Sequence, residues 1–118
     1  MISKELLSEV FGREVSEIKN TCTDKEIVII AYFDGFRQAF TSNIYELAFK
    51  CKEWALSEGY IIEVGVHPTI KKDRSDRDYF YKITTDRGQR LISKFVEIIK
   101  TEHEAIFLAC EYILKETK

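Results

Sequence analysis

The sequence predicts one α+β domain over residues 1–118, with a mainly antiparallel sheet and helices packed on it as a layered sandwich. The length of 118 residues fits a single domain. Hydrophobic residues make up 45% of the chain and charged residues 32%, which is the balance of a globular protein with a core. Groups of short strand-like stretches alternate with longer stretches of helical period. This order predicts about five to six strands, two main helices and a short N-terminal helix.

The N-terminal stretch is predicted to be a short helix followed by a short strand. Ser3 is a suitable N-cap, because its hydroxyl oxygen can accept a hydrogen bond from a backbone N–H of the first turn. Gly12 suits the position after the last helical residue, which often takes the left-handed conformation. The residues between them that share one helical face are Leu6, Leu7, Val10 and Phe11. Residues 15–19 are then a candidate strand.

The clearest strand of the sequence covers residues 26–33. Asp34-Gly35 follows it and favours a two-residue type I′ turn, because both central positions of that turn need a positive φ. Residues 36–41 are therefore predicted to be the returning strand of a hairpin.

The first main helix is predicted to begin after Asn43, which forms part of a capping box with Glu46 three residues later. The apolar residues that then recur with helical period are Ile44, Leu47, Ala48, Cys51, Trp54 and Ala55. This pattern predicts that Cys51 and Trp54 lie on the buried side of the helix, which Gly59 ends. The outer face is assigned to the charged residues Lys50, Lys52, Glu53 and Glu58.

The second half of the chain again shows strands followed by a helix. Residues 60–66 and 79–85 are predicted strands, and residues 71–78 between them are a charged, solvated loop. The two halves are loosely alike, and internal duplication is the alternative to a single antiparallel sheet.

The stretch 91–99 fits a helix as well as a strand by periodicity. Thr101 and Glu104 form a capping box that starts the last helix, so we interpret the residues before it as a strand. That last helix is predicted over residues 102–115. Its predicted buried residues are Ala105, Ile106, Ala109, Cys110 and Ile113.

No residues stand at spacings that predict an active site, a metal site or a cofactor site. The three cysteines, Cys22, Cys51 and Cys110, form no CxxC pair, and we interpret them as the reduced thiols of a cytoplasmic protein. Cys22 is the one expected to react, because the other two fall on apolar helix faces. His67 and His103 are far apart in sequence, and His103 is expected to be exposed. The chain is therefore predicted to be no enzyme and to bind no cofactor.

A basic region within residues 70–90 is the candidate partner-binding feature of the sequence. It has an excess of Lys and Arg, although the net charge of the whole chain is only −2. Basic side chains with interleaved aromatic residues can follow phosphates and stack on bases. The alternative is a solvated loop beside tyrosines that pack against a helix. The candidate partner-binding residues are Lys71, Lys72, Arg74, Arg77, Tyr79, Tyr81, Arg87 and Arg90.

Two helical stretches resemble a known group of viral proteins. Residues 43–55 (NIYELAFKCKEWA) resemble the first helix of the phage ABA-sandwich domain group, and residues 101–110 (TEHEAIFLAC) resemble its closing helix. His103 stands where the group usually has proline, a position at which proline only pre-sets φ. The resemblance implies a phage or prophage origin and an α/β sandwich, and it brings no catalytic residues with it.

The sequence thus favours a non-enzymatic phage or prophage accessory protein that binds a host or viral protein in the cytoplasm of a bacterial host, for example as an inhibitor of a defence system. A small nucleic-acid-binding protein that uses residues 71–90 is the alternative. A homodimer formed along an exposed sheet edge is compatible with both. No membrane partner is expected, because the longest apolar run, residues 27–33, is too short to cross a bilayer.

Overall fold

The computed structural model describes residues 2–20, 26–33, 35–66, 79–85, 87–88, 90–99 and 101–117, and for residues 90–98 it describes the backbone alone. Three helices and six strands lie within these ranges. In chain order they are α1 (Lys4–Phe11), β1 (Val15–Asn20), β2 (Ile27–Phe33), β3 (Arg37–Asn43), α2 (Ile44–Ser57), β4 (Tyr60–Val66), β5 (Tyr79–Thr85), β6 (Arg90–Ile99) and α3 (Glu102–Thr117). The predicted α+β class is confirmed.

The described strands form two antiparallel sheets of three strands each, in the orders β1-β2-β3 and β4-β5-β6. The antiparallel pairing agrees with the sequence, but the strands divide between two sheets where the sequence predicted one. The chain leaves the first meander through α2, which begins directly after β3, so β3 and β4 are not hairpin neighbours. The layered sandwich stays a prediction.

Side-chain caps fix the start of each helix. Ser3 Oγ accepts a hydrogen bond from the backbone N–H of Leu6 at 3.1 Å. Asn43 Oδ1 accepts one from the N–H of Tyr45 at 2.8 Å, and Thr101 Oγ1 accepts one from the N–H of Glu104 at 3.2 Å. These contacts satisfy N–H groups that have no partner inside the helix. The three predicted N-caps are confirmed, and so is the assignment of residues before Thr101 to a strand.

The turn between β2 and β3 differs from the predicted two-residue turn. Phe33 pairs with Arg37, so three residues connect the strands. Gly35 has a φ of +75°, which is the left-handed conformation that glycine adopts without strain. Phe36, predicted as the first residue of the returning strand, instead lies in the loop with its side chain 64% exposed.

The core contains residues from all three helices and from strands of both sheets. α2 packs against α3, β4 also lies against both of these helices, and α1 lies against β1 and α2. Trp54 is 7% exposed and Cys51 is fully buried, as the sequence predicted. The five predicted buried residues of α3 are all buried too. In the part of the chain that the structure describes, no helix has the length and apolar character needed to span a membrane.

Candidate binding surface

The basic region is only partly visible among the described residues. Lys71, Lys72, Arg74 and Arg77 lie outside them. Arg87 is exposed in the turn before β6. Arg90 is the first residue of β6, and only its backbone is described. Among the described residues, Arg87 is thus the only basic candidate whose side chain is placed.

The two tyrosine candidates of β5 face the core. Tyr81 is 5% exposed, and Tyr79 is half-buried and packs against the core. Burial raises the pKa of Tyr81, and the charge of Tyr112 raises it further. A ring that stacks on a base must offer a free face. Tyr81 has none, so its role is core packing, which was the alternative interpretation of the sequence.

The histidine and cysteines show no catalytic arrangement within the described ranges. His67 and Cys22 lie outside them. Those ranges contain no group of three or more His, Cys, Asp or Glu side chains that could hold a metal ion.

Cys51 and Cys110 are free, buried and adjacent across the contact between α2 and α3. The thiol of Cys110 donates a hydrogen bond to the backbone carbonyl of Cys51, with Sγ and O 3.4 Å apart. A hydrogen bond with the Cys51 side chain, burial and the charge of Glu111 raise the pKa of the Cys110 thiol. Only a thiolate is an effective nucleophile, so the Cys110 thiol is not suited to nucleophilic chemistry.

We expect one thiol of the native protein to react with a thiol reagent and two to stay protected. Cys51 and Cys110 are shielded by burial, whereas Cys22 is expected to be accessible from its polar sequence context. Absorbance from an aromatic disulfide reagent would report one fast equivalent in buffer and three in denaturant. The Cys22→Ser variant should lose the fast equivalent, and fast labelling of a second thiol would show that the α2–α3 contact opens readily.

Three large apolar side chains that are more than half exposed lie along one side of α2. Tyr45, Phe49 and Leu56 are 54%, 62% and 59% exposed. Their spacing places them within roughly 40° of one another around the helix axis. Ile61 of β4 is 39% exposed and lines a shallow hollow together with Phe49 and Leu56. We call these four residues the α2 ridge.

Tyr45 is held in place at one end of the α2 ridge. Its hydroxyl donates a hydrogen bond to Glu26 Oε1 at 3.0 Å. Its ring meets the ring of His103 edge to face, with centroids 5.4 Å apart and an interplanar angle of 85°. Tyr45 is thus held by contacts with Glu26, the residue just before β2, and with His103 of α3.

His103 is half-buried, where the sequence predicted an exposed residue. In addition to the contact with Tyr45, the centroid of its ring lies 6.0 Å from that of the Phe107 ring. Burial lowers the pKa of His103, while the nearby carboxylates Glu104, Glu26 and Glu102 act in the opposite direction. The imidazole is therefore neutral at pH 7.

A second exposed apolar group lies at the β2–β3 turn, where Phe33 and Phe36 are 69% and 64% exposed. Phe33 is the last residue of β2 and Phe36 lies in the loop after it, whereas three residues of the α2 ridge stand on one helix of 14 residues. The α2 ridge is the better-supported candidate binding surface for that reason.

In comparisons with known proteins, no family model, no curated protein and no solved structure matches the chain. The resemblance of residues 43–55 and 101–110 to phage ABA-sandwich proteins stays a prediction. The fold and the surface described above define an α+β domain with an exposed apolar helix face.

Proposed function

We propose that this chain is a non-enzymatic phage or prophage accessory protein that acts by binding another protein, in the cytoplasm of a bacterial host. The observation that carries the proposal is the α2 ridge, a row of large apolar side chains that the fold leaves in solvent. Inhibition of a bacterial defence system is one form that such binding would take. The phage origin rests on the sequence resemblance alone.

Packing inside the domain does not account for the α2 ridge. The inner face of α2 is formed by Leu47, Ala48, Cys51, Trp54 and Ala55, all of which are buried. Phe49 and Leu56 project elsewhere and are more than half exposed. Contiguous exposed apolar patches mark sites of association in soluble proteins, and aromatic side chains dominate the energy of such interfaces.

The charges beside the α2 ridge favour a protein over a nucleic acid. The charged neighbours on the exposed part of the helix are Glu46, Lys50, Lys52 and Glu53, two acids and two bases. Nucleic-acid binding needs a surplus of positive charge that displaces counterions from phosphates, and this helix has none. Interfaces between proteins have apolar, aromatic centres with polar rims, which matches the arrangement on α2.

Replacing Phe49 and Leu56 together by glutamate is expected to weaken partner binding by at least about tenfold, because the pair supplies the apolar centre of the contact. Affinity-tagged protein would be used to capture partners from bacterial lysate. Each captured protein would then be purified, and its affinity for the wild type and the variant measured by calorimetry.

The matched control is the pair Phe33→Glu and Phe36→Glu, which removes the same number of exposed apolar side chains and adds the same charge at the β2–β3 turn. It should keep the wild-type affinity. Loss of binding in the control but not in the ridge variant would contradict a role for the α2 ridge. Binding to DNA or RNA in a gel shift that survives the ridge variant would contradict the proposal as a whole.

The ridge could also be covered by a second copy of the chain, and the same variants test this. Light scattering behind size-exclusion chromatography would show a dimer in the wild type and a monomer in the ridge variant. These two results together would mean that a second copy of the chain covers the α2 ridge, and not a different protein.

A further inference from the structure

A pocket of about 280 Å³ lies beside the Tyr45 end of the α2 ridge. Its walls come from the N-terminal segment, β1, β2, and the first turns of α2 and α3. The apolar lining includes Ile2, Ile18, Val28, Leu47, Phe107 and Leu108. Leu108 is 42% exposed, so the pocket has an apolar wall that reaches the surface.

Among the described residues that line this pocket, the charged groups are carboxylates. Glu104 and Glu111 line it, and the described lining contains no Lys or Arg. Glu26 and Glu102 lie close enough to act on His103, which is itself neutral at pH 7. The N-terminus of α3 contributes about half a positive charge, which the two carboxylates in its first turn exceed. A cation is therefore favoured over an anion at this mouth.

One of these carboxylates is held in a fixed position. Glu111 Oε1 accepts a hydrogen bond from the backbone N–H of Ser3 at 2.8 Å. This contact joins the start of α1 to α3 and leaves the carboxylate with further acceptor capacity. Both carboxylates that line the pocket thus stand on α3, and Glu111 is also held by the N-cap residue of α1.

The pocket is continuous with the α2 ridge. His103 lines the pocket and also meets the ring of Tyr45. Phe49 stands one helical turn beyond Tyr45 along α2. A segment that covers the α2 ridge therefore reaches the pocket across the contact between Tyr45 and His103.

The volume fits a side chain better than a large ligand. Pockets for drug-sized molecules run from about 300 to 1,000 Å³, and this one falls just below that range. Peptides that lie on an apolar groove insert single side chains as anchors.

We propose that the pocket is the anchor site for a basic amphipathic segment of the partner protein, with an apolar side chain inside the pocket and a Lys or Arg at the carboxylates of Glu104 and Glu111. This inference rests on the proposed protein-binding function and specifies the chemistry of the partner. The segment would run from the pocket along the α2 ridge.

The pocket can be tested without the partner by using two small molecules with the same phenyl group and opposite charge, 2-phenylethylammonium and 3-phenylpropionate. Titration of each into ¹⁵N-labelled protein would be followed through the amide signals of Val28, His103 and Leu108. We expect the cation to bind roughly threefold to tenfold more tightly than the anion. Glu104→Lys should remove or reverse this preference.

Glu53→Lys is the matched control, because it makes the same change of charge on α2 and does not line the pocket. It should keep the preference for the cation. Amide spectra that superimpose on those of the wild type would show that both variants fold. Equal binding of the two compounds in the wild type, or no saturable shift at the three amides, would overturn the pocket's assignment.

A peptide experiment separates the pocket from the function. A helical peptide with a leucine face and lysines would be compared with its leucine–glutamate counterpart. The lysine peptide should bind more tightly, and Phe49→Gln with Leu56→Gln, which removes the apolar contacts without adding charge, should weaken it without affecting 2-phenylethylammonium. If that variant leaves the peptide unaffected, the segment does not follow the α2 ridge and this inference fails. The proposed function would instead be contradicted if the wild type captured no partner whose binding depends on the α2 ridge.

Discussion

Replacing Trp54 by alanine is expected to lower the free energy of unfolding by about 3–5 kcal/mol. The indole is 7% exposed and lies on the inner face of α2 among buried residues of the core. Its removal leaves a large cavity that a packed core only partly closes. Domains of this size have a net stability of about 5–15 kcal/mol, so the variant should be marginally folded. Urea unfolding followed by circular dichroism measures the difference.

Leu56→Ala is the control for this experiment, because it lies two residues further along the same helix and is 59% exposed. Removing a surface side chain there should change stability by less than about 1 kcal/mol. A cost for Trp54→Ala as small as that for Leu56→Ala would show that the inner face of α2 is not packed. The same pair also separates stability from binding, since Leu56 belongs to the α2 ridge.

The helices and most strands could be predicted because their signals are local. The caps at Ser3, Asn43 and Thr101 each involve contacts within three residues, so the sequence shows both partners side by side. Strands β4 and β5 were predicted with the bounds that the structure has. The capping box at Thr101 also decided an ambiguous stretch, since a helix that starts there requires a break before it.

Long-range features were not accessible in the same way. Periodicity shows that a strand has one apolar face, but it does not show which strands share a sheet, so the division into two sheets was missed. The predicted hairpin turn was one residue too short, because Asp34-Gly35 has the composition of a two-residue turn. In the structure Phe33 pairs with Arg37, and this register leaves three residues in the connection. The burial of His103 depends on Tyr45, which is 58 positions away in sequence and meets it only in the folded chain.

The candidate surface was missed for a different reason. The sequence assigned the outer face of α2 to charged residues, and Lys50 and Glu53 are indeed exposed there. Tyr45, Phe49 and Leu56 share one side of the same helix at spacings of four and seven residues, and that signal is present in the sequence. A helix with apolar residues on two sides buries one of them in the domain, and the other is available to a partner.

Replacing Leu7 by alanine is expected to lower the free energy of unfolding by about 2–5 kcal/mol and to loosen α1 more than the rest of the domain. Leu6 and Leu7 are fully buried and dock a helix of only eight residues. A helix this short has little stability of its own, so its tertiary contacts determine whether it forms. Ile2, just before α1, lines the pocket. Loosening α1 should therefore weaken 2-phenylethylammonium binding as well.

Amide hydrogen exchange followed by NMR distinguishes this local effect from a global one. The amides of α1 should lose protection in the Leu7→Ala variant at denaturant concentrations where those of α3 remain protected. Lys4→Ala, on the exposed side of the same helix, should preserve both the exchange pattern and the affinity for 2-phenylethylammonium. Equal loss of protection in α1 and α3 would mean that α1 unfolds only with the whole domain. Unchanged affinity in a variant whose α1 is loosened would show that Ile2 does not form a wall of the occupied pocket.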